Sequence, residues 1–268
     1  VSVGGCSSRP MGKSKGKERK AERKAELERE RALKQLVKDA ADTGLFDVVP
    51  AAVFGRFQKN DLDVMLESPA PADNKEEVHL ACMAMLKNNM STTYEAHEWK
   101  GVPSWGQQEA SLKEDEARLL VLRDAASELV GFAHYYFMVE GDCPVLYLYE
   151  LQLAEAFRGK GLGRHVMTLF QIAALKLKMQ FVMVTVFKAS ERATAFFLDK
   201  MKFEVDETSP SRCDVEDDSP YEILSKCLDP ELLKAKKAEK VKAPSSPPTI
   251  AKKAVQTSPS SVIALAVS

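Results

Sequence analysis

A single carboxylate inside an apolar strand, followed closely by a basic glycine-rich turn, is the part of this chain whose residue types most directly suggest chemistry. Residues 145–153, VLYLYELQL, set Glu150 among leucines and tyrosines, and Arg158-Gly159-Lys160-Gly161-Leu162-Gly163 comes next. A carboxylate buried without a partner is costly, so Glu150 is either held in a structural salt bridge or turned toward a wet cleft. In the cleft its neighbours would be Tyr147 and Tyr149, which simple alternation puts on the same side of the strand as Leu151. Glycines let a ligand approach the backbone, and the first amides of a helix opening there point at it with the positive end of the dipole. With the charges of Arg158 and Lys160, the turn suits a phosphate or pyrophosphate. It is not a Walker A loop, since no Gly-Lys-Ser/Thr ends it, and its R-x-x-G-x-G spacing also fails the dinucleotide fingerprint. A carboxylate, two phenols and a phosphate-binding turn together suit transfer of a group from a phosphate-bearing carrier to a nucleophile.

The elements that must position these groups follow from periodicity. Residues 12–41 hold no proline and many Ala, Glu, Lys and Arg, which predicts a helix with no broad apolar face before Leu33, Leu36 and Val37. A second helix is predicted over 76–99, where Val78, Cys82, Met85 and Met90 share one face. Residues 118–123 and 128–140 read as strands joined by a turn at 124–127, and 141–144 turns the chain into the strand that carries Glu150. After Gly161 a helix is expected to bury Leu162, Val166, Phe170, Ala173 and Leu177. FVMVTVF (181–187) is apolar throughout and belongs mid-sheet. A helix near 191–201 and strands from Phe203 and at 221–225 complete the order. Antiparallel strands first and a β-α-β-α-β run later predict an α/β (α+β) fold, a mixed sheet with helices on both faces and room for a ligand where two strands diverge.

The formal net charge of −1 conceals a partition. The predicted first helix has eleven Lys/Arg against five Glu, residues 229–268 are also basic, and 39–228 carry about −12 by difference. An acidic body attracts a cationic partner. The basic helix reads either as a solvated helix or as an address for nucleus, ribosome or nucleic acid. The five cysteines share no metal-ligand spacing and form no disulfide framework, which favours a reducing compartment. The four histidines read as structural or surface residues, and no metal is expected. No apolar run is long enough to span a membrane. The expected organisation is 1–11 as an upstream extension before Met11, 12–44 as the basic helix, 45–228 as one domain and 229–268 as a low-complexity tail.

The R-x-x-G-x-G turn after such a strand resembles the coenzyme A loop of the GCN5-related N-acetyltransferase (GNAT) superfamily. NNMSTTYEAHEW (88–99), VLYLYELQL, VMVTVFK (182–188), FEVDETSPS (203–211) and YEILS (221–225) are similar to the histone-specific N-alpha-acetyltransferase D family. The resemblance covers roughly residues 45–226 and implies a GNAT fold. It implies acetyl transfer from acetyl-CoA to the α-amine of the N-terminal serine of histones 4 and 2A, by a monomer working in cytoplasm and nucleus. By the same resemblance Glu150 is the general base, with Tyr147 and Tyr149 beside it. Tyr94, Trp99, Glu140 and Tyr221, together with Tyr149, contact the substrate. Leu151, Gln152 and Leu153 meet the pantetheine arm with their backbone, residues 158–163 hold the pyrophosphate, and Thr185 and Ser190 touch the cofactor. An α-amine of pKa near 8 leaves about a tenth of its molecules unprotonated at neutral pH, so a carboxylate base suffices, whereas a lysine near 10.4 needs more help.

Three residues depart from the family. Met138 stands where the first acid of an acid-x-acid pair is expected, which weakens recognition of an arginine at the histone's third position. Asp142 and the acidic loop Asp214, Glu216, Asp217, Asp218 are the candidate substitutes. Ser190 replaces an asparagine, and Thr194 replaces the tyrosine that many relatives outside the family use as general acid, leaving Tyr149 for that role. The alternatives are an N-terminal acetyltransferase of broader specificity and a non-catalytic scaffold that binds ribosome or chromatin.

Overall fold

A computed structural model describes residues 13–73, 76–97, 103–214 and 217–234 of the chain. The predicted upstream extension, nearly all of the C-terminal tail, Trp99 and Glu216 lie outside these residues. The chain begins with the long helix α1 (Lys13–Asp42) and two single-turn helices, α2 (Leu45–Val48) and α3 (Ala51–Phe54). Next come strands β1 (Arg56–Lys59) and β2 (Leu62–Glu67), then helices α4 (Glu76–Ala96) and α5 (Trp105–Leu112). Strands β3 (Arg118–Asp124), β4 (Leu129–Glu140) and β5 (Cys143–Leu153) lead into α6 (Leu162–Lys176) and β6 (Phe181–Phe187). Helix α7 (Glu191–Ala195) continues as a π-turn through Phe196–Lys200, before β7 (Glu204–Val205), α8 (Pro210–Cys213) and β8 (Tyr221–Cys227).

The strands form one eight-stranded sheet in the order β1-β2-β3-β4-β5-β6-β8-β7. Only β5 and β6 run parallel, because α6 carries the chain across between them; the other neighbours are antiparallel. This is the expected mixed sheet, with the apolar β6 in its interior. One face packs on Ala40 of α1 and on Val166, Phe170 and Ala173 of α6, beneath Val64, Leu120, Leu146 and Leu148. The other face packs Cys82, Leu86, Met90 and Tyr94 of α4 and Leu112 of α5 against Leu119, Val121, Phe132 and Phe187. The last turns of α1 therefore belong to the core, while its basic first half is exposed.

Among the elements that the periodicity reading lacked, the β1–β2 hairpin and helix α5 have a plain local cause. The β1–β2 hairpin turns at Asn60 and Asp61, both at positive φ (54° and 59°), the backbone of a tight primed turn. Helix α5 starts at Ser104, whose hydroxyl caps Gln107 N while the Gln107 side chain returns to Ser104 N.

Candidate functional site

Strand β5 changes character at Glu150. Its register against β4 runs His134↔Glu150 and then Tyr135↔Leu148, so one extra residue is accommodated on β5, a β-bulge. The consequence for side-chain direction corrects the simple alternation. Leu146 and Leu148 before the bulge lie in the same buried cluster as Leu151 and Leu153 after it. In register Tyr147 opposes Tyr136, whereas Leu148 and Leu151 oppose Tyr135 and Ala133 of that cluster, so Tyr147 does not share the side of Leu151, although both tyrosines touch the cluster at its margin. Tyr149 turns toward His134 and Tyr136, with its ring centroid 4.7 Å from that of Tyr136, and Tyr147 lies beside it at 5.1 Å.

The bulge also marks where β5 loses its second neighbour. Pairing with β6 covers only Val145↔Phe181 to Leu148↔Val184, after which β6 continues against β8 alone. From Tyr149 to Leu153 one edge of β5 faces a wedge, so the backbone of Leu151, Gln152 and Leu153 is where an extended amide-bearing ligand could add as a strand. At the mouth of the wedge stands the glycine turn. Gly159 and Gly161 have φ of 73° and 92°, and Gly161 is the N-cap of α6, with no side-chain cap. The first bond of α6 is His165 N to Gly161 O, which leaves the amides of residues 162–164 without helix carbonyls and open to an anion. A cavity of about 530 Å³ lies against this turn, lined by Glu155, Arg158, Gly159, Arg192, Ala195, Phe196 and Lys200. Burial lowers the Arg158 pKa, and repulsion from Arg192 acts in the same direction against the pull of Glu155. An anion between the two guanidiniums would relieve that repulsion. Arg192, Phe196 and Lys200 were not visible as site residues in the sequence, because only folding brings α7 beside the turn.

Glu150 is 5% exposed. Burial raises its pKa well above the carboxylate range, and a hydrogen bond from Gln152 Nε2 to Glu150 Oε2 (2.8 Å) opposes that shift. Gln152 in turn accepts from Asn89 Nδ2 of α4 (2.9 Å). Asn89 Oδ1 accepts from Arg158 Nη2 (2.6 Å), and Arg158 Nε donates to Leu153 O (2.9 Å). No salt bridge to Glu150 forms among the described residues. Tyr94 is fully buried in α4, its ring tilted against Trp105 and Phe187, and burial followed by the charge of Glu150 raises its pKa.

The phenols are placed differently from one another. Tyr147 shares a hydrogen bond with Thr185 of β6 (2.7 Å), so Thr185 faces Tyr147. Tyr149 is half-buried, and burial, with Glu114 and Glu140, pushes its pKa up to about 12, which keeps its proton on at neutral pH. Tyr136 Oη lies 2.8 Å from both Ser111 O and Glu114 Oε2, which share its one proton. Glu140 is half-buried at the end of β4, its pKa raised by burial and by Asp206. Met138 packs in an apolar cluster with Val145, Phe181 and Met183. Tyr221 lies opposite Phe187 on β8, and Ser190 is the N-cap of α7. Among the described residues no three His, Cys, Asp or Glu side chains are grouped to hold a metal ion, and no helix is long and apolar enough to cross a membrane.

Residues 83–203 match the acetyltransferase (GNAT) family model. They run from α4 through the bulged strand, the glycine turn, β6 and α7. Solved structures with a likeness include a GNAT family acetyltransferase from Elizabethkingia anophelis with acetyl-CoA bound. It is 12% identical with a TM-score of 0.42, over 63% of this chain and 100% of that one. A PaiA N-acetyltransferase from Thermoplasma acidophilum in complex with coenzyme A is 16% identical with a TM-score of 0.41, over 60% and 98%. The family-model match, rather than these distant likenesses, carries the assignment: the fold is the GNAT fold, and the segment that builds the site is the one that matches the GNAT family model.

Proposed function

We propose that this GNAT acetyltransferase, dependent on acetyl-CoA, acetylates the N-terminal α-amine of a protein substrate, the serine that opens histones 4 and 2A. The observation that carries the reading is the buried Glu150 at the bulge, beside a one-edged strand and an anion-binding turn. Acetyl-CoA fits the residues present: amides 162–164 with Arg158 and Arg192 suit the pyrophosphate, and the open edge of residues 151–153 suits the pantetheine amides. When bound it supplies an acetyl thioester.

Glu150 takes the proton from the α-amine, directly or through a water, and its raised pKa brings its basicity closer to that of the amine. The β5 backbone at the bulge offers an N–H to the carbonyl oxygen of the thioester. Tyr149 retains its phenolic proton and provides it to the departing thiolate. Tyr147, fixed by Thr185, holds the wall of the cleft beside it. Glu140 and Asp206 supply two carboxylates near one another, which suits an arginine-bearing tail and offsets the loss of an acid at Met138. Tyr221 is the substrate-side aromatic of the described residues in this reading, while Tyr94 is fully buried and offers the substrate no surface.

A second reading, an N-terminal acetyltransferase of broader specificity, is favoured by one observation: Met138 packs against an apolar cluster and offers no charge. Peptides starting Ser-Gly-Arg-Gly and Ser-Gly-Ala-Gly, given with acetyl-CoA and followed by thiol release, separate the two. At least a tenfold preference in kcat/KM for the arginine peptide is expected. Equal rates would establish the broader enzyme, and silence with both while acetyl-CoA binds would leave a non-catalytic scaffold. The basic helix α1 is proposed as a ribosome-docking element, with the enzyme a monomer of cytoplasm and nucleus.

A further inference from the structure

Three hydrogen bonds in an unbroken series connect the two ends of the site. Arg158 of the glycine turn donates to Asn89 Oδ1, Asn89 Nδ2 donates to Gln152 Oε1, and Gln152 Nε2 donates to Glu150 Oε2. The direction is imposed at both ends. A guanidinium can only donate, so the carbonyl oxygen of Asn89 must face it; an ionised carboxylate can only accept, so the amide nitrogen of Gln152 must face Glu150. Every donor therefore points toward Glu150, and the dipoles add along a half-buried path. Asn89 also donates to Leu153 O, which Arg158 grips as well, so the turn, α4 and the open edge of β5 meet at one carbonyl.

We propose that Asn89 and Gln152 are positioning residues that tie the Glu150 base to Arg158, so that one hydrogen-bonded chain sets both the anion seat and the base. The inference rests on the acetyltransferase reading above. Its two members differ in what they touch. Gln152 bonds the base and Asn89, while Asn89 anchors Arg158 and Leu153 O as well. Removing the Gln152 donor leaves Glu150 with its burial cost unopposed and weakens the ionised form. Among the described residues, His134 of β4 and Tyr94 of α4 also face Glu150. His134 is held at a pKa of about 3 by burial and stays neutral at working pH, and Tyr94 is raised and stays protonated. The peptide's own amine titrates alike with every variant, so a shift of the acid limb of the kcat/KM profile between variants reports Glu150.

The experiment compares wild type with Gln152→Met, Asn89→Ala and Glu150→Gln, each checked by thermal melting, using acetyl-CoA and the Ser-Gly-Arg-Gly peptide. In Gln152→Met, kcat is expected to fall about tenfold and the acid limb to move up by about one pH unit, a tenfold change, with the acetyl-CoA dissociation constant unchanged. In Asn89→Ala the same limb moves and acetyl-CoA binding weakens at least threefold. Folded variants with an unmoved acid limb, or a loss confined to melting temperature, would overturn the chain. Wild-type turnover in Glu150→Gln would overturn the base assignment itself, and an unmoved limb beside an inactive Glu150→Gln would overturn the chain alone.

Discussion

The two halves of β5 are built from similar residues but held in different surroundings. From Val145 to Leu148 the strand is paired on both edges and its leucines are fully buried, so the residues are fixed by the sheet. From Tyr149 to Leu153 it is paired on one edge only, and its polar groups are held from elsewhere: Gln152 Oε1 by Asn89 of α4 and Leu153 O by Arg158 of the turn. The first half therefore serves stability. The second exposes backbone and keeps a carboxylate in a costly place, which is the expected cost of a working site.

The sharpest test of that contrast is Glu150→Gln. Losing a general base lowers kcat by about a hundredfold to ten-thousandfold, while acetyl-CoA affinity stays the same. The same substitution should stabilise the protein at neutral pH. A carboxylate whose folded pKa is raised favours the native state most at low pH. That gain is complete below the unfolded value of about 4.3, and it is lost as pH rises through the raised folded pKa. A variant that cannot ionise escapes the loss, so its melting temperature should exceed the wild type's at pH 8 and converge with it at pH 4. A lower melting temperature at both pH values would show that Glu150 supports the fold.

Leu148→Ala probes the other half. Leu148 is 0% exposed, and deleting such a side chain costs about 2–5 kcal/mol. Denaturant unfolding should show that loss, with KM for acetyl-CoA unchanged at temperatures where the variant is folded. A specific loss of kcat in the folded variant would mean that the two halves are not separable at the bulge.

Much of this was legible in the sequence, and what was missed has physical reasons. The glycine turn, the helix after it and the buried strand 181–187 rest on local signals, composition and period, and they stand where expected. The bulge does not, because it is a property of two strands in register. Its trace is present in the leucine spacing, at 146, 148, 151 and 153: the step from 148 to 151 breaks an alternation of two. The polar chain from Arg158 to Glu150 could not be read, since Asn89 lies some sixty residues from Gln152 and nothing local marks it. The hairpin at 56–67 was missed for the opposite reason. Phe57, Leu62, Val64 and Leu66 bury one face, but Asn60-Asp61 lacks the glycine that usually announces such a turn.

That hairpin supplies the smallest of the expected effects. Asn60 Nδ2 donates to Lys160 O (2.8 Å), and Phe57 and Asn60 lie beside Gly161, so the hairpin tip supports the back of the glycine turn. His165 of α6, between Phe54 and Phe57 and bonded to Phe54 O, fastens the same region. Asn60 is itself at positive φ, which Gly tolerates and Ala does not, so Asn60→Gly removes the contact without straining the turn. A single hydrogen bond of this kind is worth about 1 kcal/mol. The dissociation constant for acetyl-CoA should therefore rise about threefold to fivefold with kcat nearly unchanged, as measured by calorimetry and steady-state kinetics. The opposite pattern, lower kcat with unchanged affinity, would place the hairpin's influence on the one-edged half of β5 and not on the anion seat.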